Sequence, residues 1–132
     1  MKPDSPTVAF AKTFGTAIVA GDFAAAEAML APWIIPQLSG GSLKKFLRRA
    51  REDRPRPHSF DVSENTTVTL ETLREDLQET GQITEENFRA WLCLEFYPDP
   101  ELVAAVDLSY ILWIAVVALE KDLAIGYLKL DA

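Results

Sequence analysis

The chain has one cysteine and one histidine among 132 residues, and these two scarcities remove whole classes of chemistry. Cys93 has no second thiol with which to form an internal disulfide, so a reduced, cytoplasmic setting is expected. With His58 alone, no spacing of His, Cys and carboxylates resembles a metal site, and neither a metal nor another cofactor is expected. No Gly-rich loop offers a cradle for phosphate. The opening Met1-Lys2-Pro3-Asp4-Ser5 carries an acidic residue early and no apolar stretch before a small-residue cleavage site, so it does not read as a signal peptide. The apolar run Leu108–Leu119 falls short of the about 20 residues a membrane helix needs. A soluble protein with no membrane partner is expected.

Positive charge is also scarce: 13 Lys and Arg stand against 20 Asp and Glu, a net charge of −7. Nucleic-acid readers draw most of their affinity from phosphate contacts and carry a dominant positive field. Nucleic acid is therefore not an expected partner. The cations are nonetheless concentrated. Residues 44–56 hold Lys44, Lys45, Arg48, Arg49, Arg51, Arg54 and Arg56 against Glu52 and Asp53. That basic helix face can dock an acidic partner, or it can simply be solvated and partly neutralised by the chain's own carboxylates.

An apolar fraction of 48% and a charged fraction of 25% are ordinary for a globular domain. A chain of this length buries roughly two thirds of its unfolded surface and needs no staple. Nothing repeats and nothing divides it into two cores, so residues 1–132 are expected to form a single domain.

In the first half the hydrophobic period is 3.6. Val8, Ala11, Phe14 and Ile18 predict a helix over 7–20, capped by Asp4 or Ser5 and ended by Gly21. Asp22 caps a second helix whose inner face is Phe23, Ala26 and Leu30, and Pro32 and Pro36 close it around an apolar loop, Trp33-Ile34-Ile35. After a turn at Gly40-Gly41, Ser42 caps a third helix to about Glu52, with Leu43, Phe46, Leu47 and Ala50 inward. Pro55 and Pro57 stop it.

The second half changes to a period of 2. His58, Phe60, Val62 and Glu64 alternate with Ser59, Asp61 and Ser63, and Thr66, Val68 and Leu70 continue the alternation. Leu73 and Leu77 predict a short helix stopped by Gly81. From Phe88, one face carries Phe88, Ala90, Leu92, Leu94 and Phe96 and the other Arg89, Trp91, Cys93, Glu95 and Tyr97. Pro98-Asp99-Pro100 breaks that strand. Leu108–Leu119 and Leu123–Leu130 form a final hairpin around Glu120-Lys121-Asp122, which lacks the usual glycine. Helices first and an antiparallel meander afterwards predict an α+β fold.

The helix, then Ala20-Gly21-Asp22-Phe23, Ala24-Ala25-Ala26 and Met29-Leu30, resembles the opening of the nuclear transport factor two-like (cystatin-like) superfamily. The Ser42-Leu43-Lys44-Lys45-Phe46 helix and the final pair of long strands are similar in order too, so the resemblance spans nearly the whole chain. It implies a cone-shaped domain whose N-terminal helices pack on the concave face of a curved antiparallel sheet. The superfamily holds isomerases, hydrolases, dehydratases, transport adaptors, toxin-neutralising immunity proteins and members of unknown function. None of the enzyme motifs transfers residue by residue, and fold does not decide among these roles.

Three residues are candidates for acid–base chemistry. His58 shares the alternation of Phe60 and Val62 and can point into the cone as a base. More simply, it is a strand-entry residue near the rim, with Asp61 on the opposite alternation. Glu95 can pair with Tyr97 as acid and hydrogen-bond donor. The apolar set Phe88, Leu92, Leu94 and Phe96 makes the better core, however, and burying the other face would strand Arg89 and Glu95 away from water. Asp107 precedes the long apolar strand and can sit at the cone mouth, although an aspartate there is commonly a turn residue. Cys93 has no activating base beside it in sequence. Asn65-Thr66-Thr67 matches a glycosylation sequon without a secretion signal to support its use.

The function expected is a non-enzymatic binding or protein-interaction domain with a cone-shaped pocket. Its partners would be a second copy of itself, a small apolar ligand or another protein. The alternatives are a small-molecule isomerase or hydrolase using the cone and a toxin-neutralising immunity-type protein. Both faces of Leu108–Leu119 are apolar, and only one can pack on helices. Tyr110, Leu112, Ile114, Val116 and Ala118 form one face and Ile111, Trp113, Ala115, Val117 and Leu119 the other. Whichever faces away from the helices would, beside Trp91, Cys93 and Tyr97, be a large exposed patch, so a homodimer through the convex sheet face is expected.

Overall fold

The computed structural model describes residues 4–38, 40–51, 57–73, 82–98 and 109–131. Among these residues three α-helices, α1 (Pro6–Ala20), α2 (Phe23–Glu27) and α3 (Leu43–Arg51), precede four strands, β1 (Pro57–Glu64), β2 (Phe88–Pro98), β3 (Tyr110–Leu119) and β4 (Asp122–Asp131). The strands form one antiparallel sheet in sequential order. The α+β class expected from the change of period is the class observed.

Local chemistry sets the helix limits. Ser5 Oγ accepts a 3.3 Å bond from the Val8 amide and Pro6 occupies the first turn of α1, which spends no useful donor there. Gly21 ends α1 at φ 76°, a conformation that strains any residue with a Cβ. Asp22 Oδ1 accepts from the Ala25 amide and starts α2. That helix stops at Glu27, one turn earlier than the Phe23–Ala26–Leu30 spacing predicts. The chain instead lays Met29–Ala31 along β4: the Ile125 amide donates to Met29 O and the Ala31 amide to Ile125 O, both at 2.8 Å. Two backbone bonds to the sheet replace a further helical turn. Glu27 Oε2 then accepts from the Leu43 amide at 3.0 Å, fastening α3 to α2.

One core joins helices to sheet. Phe14, Ile18, Leu43 and Leu47 meet Leu92, Leu94, Phe96, Leu112, Ile114 and Val116, all within about 1% of complete burial. Phe46, expected on the inner stripe of α3, is only half-buried, so Leu43 and Leu47 anchor that helix.

Three register shifts move side chains between faces. One lies at His58 in β1, one at Arg89 in β2 and one at Gly126 in β4. Each inserts an extra residue, the signature of a β-bulge. The shift at Arg89 explains why Phe88 packs with Trp91 in a second cluster rather than with Ala90 and Leu92. The expected alternation through Thr66, Val68 and Leu70 is not a strand. Asn65 Oδ1 accepts from the Thr67 amide, and Thr69 and Thr72 exchange side-chain and backbone bonds. These local bonds turn the chain where a ladder would have kept it extended. The Leu73–Leu77 helix and Asp107 fall wholly or partly outside the described residues.

Candidate functional site

The two sheet faces differ in kind. The concave face is filled by the apolar core, whereas the outer face presents rows of mixed chemistry set by strand register. One row runs Ser63, Cys93, Trp113, Lys129; the next runs Asp61, Glu95, Ile111, Asp131. Alternation in β2 thus sends Glu95 and Tyr97 outward, as the core requirement of Leu92, Leu94 and Phe96 demands.

Glu95 is the polar centre of this face. Tyr97 OH donates to its Oε1 at 2.8 Å and Ser109 Oγ to its Oε2 at 3.4 Å, while Asp61 stands directly across the strand pair. The hydrogen bond to Glu95 favours the neutral phenol, and partial burial and the charges of Glu95 and Asp61 add to it, pushing Tyr97 up to about 12. Cys93 is half-buried in the same face. Burial and the Glu95 charge raise its thiol above its ordinary value, so the neutral thiol predominates and an activated nucleophile is not what this setting makes.

Beside these groups lies an aromatic row. Trp91 stacks on Trp113 with ring centres 5.8 Å apart and on Tyr127 at 5.9 Å, offset geometries that contribute beyond area burial. Trp91, expected on the convex patch that a second copy would cover, and Ala115 beside it are both buried within the single chain. Leu73, Val68, Leu70, Ile83 and Phe88 pack over them. Val117 is buried too. The apolar patch left half-exposed is accordingly smaller than the sequence implies: Cys93, Ile111, Trp113 and Tyr127.

His58 is exposed at the bulge in β1, which lifts it out of the alternation of Phe60 and Val62. It lies between the register partners of Pro98 and Tyr97. The Glu95–Tyr97 pairing is legible as two residues of one strand face, whereas Asp61 and Ser109 join it across strands. Among the described residues no group of three His, Cys, Asp or Glu could hold a metal ion, and no helix is long and apolar enough to cross a membrane.

A separate open groove of ≈ 580 Å³ lies between α1 and the β3–β4 hairpin, lined by Pro6, Phe10, Thr13, Met29, Lys121 and Leu123 among others. It is a surface feature outside the core. Comparison with protein-family models, curated proteins and solved structures returned no match.

Proposed function

We propose that the chain is a cytoplasmic, non-enzymatic protein-interaction domain of the nuclear transport factor two-like superfamily that pairs with a second copy through its outer sheet face. The observation that carries this reading is the division of labour between the two faces. Phe14, Ile18, Leu94, Phe96, Leu112 and Ile114 pack the concave side, each 1% exposed or less. The outer face keeps Trp113, Ile111, Cys93 and Tyr127 half-exposed. Aromatic residues in that setting are typical of the centre of an interface, and a two-fold pairing covers one patch with its own copy.

The enzyme reading draws on one specific feature, the Glu95–Tyr97 pair at 2.8 Å. Such an enzyme would work on the open outer face, with Glu95 as its acid or base.

Light scattering at micromolar concentration tests the proposal. The expected mass is twice the 14.7 kDa of the chain, and Trp113→Glu is expected to halve it with the circular dichroism spectrum retained. A wild-type protein of single-chain mass overturns the pairing.

A further inference from the structure

The charge of this protein is divided unevenly along its sequence. Residues 44–56 hold seven cations and two carboxylates, a net +5, which leaves −12 on the rest of a chain whose total is −7. The structure fixes where the first of those cations point. Leu43 and Leu47 are fully buried, and that rotation of α3 leaves Lys44, Lys45 and Arg48 exposed.

Two observations bear on this face. Among the described residues none of these three cations has a carboxylate within ion-pair distance; the ion pair found there is Lys12–Asp4 at 2.8 Å. Glu27, which reaches the start of α3, is engaged by the Leu43 amide. The placement of the lysines is also unfavourable for the helix itself. Ser42 Oγ caps α3 through the Lys45 amide at 3.2 Å, so Lys44 and Lys45 lie in the first turn, where the helix dipole disfavours cations. The third position after a serine cap is where glutamate would complete a capping box. Lys45 occupies it.

We infer that the exposed face of α3 is a docking site for an acidic segment of a partner protein. Charge complementarity selects the partner, and the remaining −12 selects its size. A duplex or an anionic membrane presents a continuous negative wall to a chain whose net charge is −7. A short acidic peptide instead meets the patch within the Debye length of about 8 Å at physiological salt and escapes most of that repulsion.

Fluorescence anisotropy with a labelled oligoglutamate peptide tests the inference, alongside a short duplex DNA and phosphatidylserine vesicles. Lys44→Glu/Lys45→Glu is expected to weaken oligoglutamate binding about tenfold or more. The same variant should raise Tm by roughly 2–4 °C by completing the cap. Arg48→Glu, one turn on and outside the cap, is expected to weaken binding as well, and Lys121→Glu on the β3–β4 hairpin to leave it intact. Unchanged affinity in the α3 variants, a lowered Tm in the double variant, or tighter binding to the duplex or the vesicles overturns the inference.

Discussion

Trp33 Nε1 donates a 2.9 Å hydrogen bond to the carbonyl oxygen of Gly126, tying the loop after α2 to the bulge in β4. The bulge has no room for a side chain: a Cβ on Gly126 would stand 2.8 Å from Val117 Cγ1. Trp33→Phe keeps the ring and loses the donor, and is expected to cost about 1–2 kcal/mol. Gly126→Ala is expected to cost about 1–3 kcal/mol by crowding Val117. Urea denaturation measures both.

A second close approach joins α1 to β1. A Cβ on Gly15 would overlap the Phe60 ring, which packs on Phe96 with ring centres 5.7 Å apart. Alanine is the better helix former by about 1 kcal/mol, yet Gly15→Ala is expected to destabilise by about 1–3 kcal/mol because the ring has to move. In a Phe60→Leu background the loss should shrink. Equal losses in both backgrounds would show that the ring is not the obstacle.

The β3–β4 hairpin turns through Glu120-Lys121, with Glu120 at φ 58°. An L side chain is strained there by roughly 1–2 kcal/mol. Glu120→Gly is therefore expected to stabilise the fold by up to about 1 kcal/mol, less than the full strain because glycine also loosens the unfolded chain. Thermal melts decide the sign.

Tyr97 offers a pH test. Its folded-state value, raised to about 12 by the Glu95 hydrogen bond first, exceeds the ordinary 10.0 of an unfolded tyrosine. The folded state thus holds this proton more tightly. The stability linked to it is fully present below pH 10 and is lost as pH rises from there through about 12. Ultraviolet titration should show one phenol ionising late, and Glu95→Gln should bring it earlier. A Tyr97 that titrates alike in both proteins contradicts the bond.

Periodicity made the helices, the strands and the inward set Leu92, Leu94 and Phe96 legible, because burial on one face forces 3.6 or 2 upon the sequence. Gly21 and Asp22 were legible as well, each through a local backbone need. What escaped depends on partners distant in sequence. Single inserted residues at His58 and Arg89 move His58 and Phe88 out of their expected alternations. The threonines at 67, 69 and 72 override a period of 2 with their own hydroxyl bonds. Trp91 and Ala115 are buried by residues 68–73 and Ile83, a covering that no pattern within β2 or β3 announces. The Glu95 group was half legible: Tyr97 shares its strand, whereas Asp61 and Ser109 reach it through register and the approach to β3.

The thiol of Cys93 reports most directly on whether the outer face is an interface, since it lies opposite Trp113 in the register of that face. Its rate of reaction with an aromatic disulfide should fall as protein concentration rises and pairing covers it. Trp113→Glu should react at one fast rate throughout. A wild-type rate independent of concentration, equal to that of the variant, would contradict the pairing on which the proposed function rests.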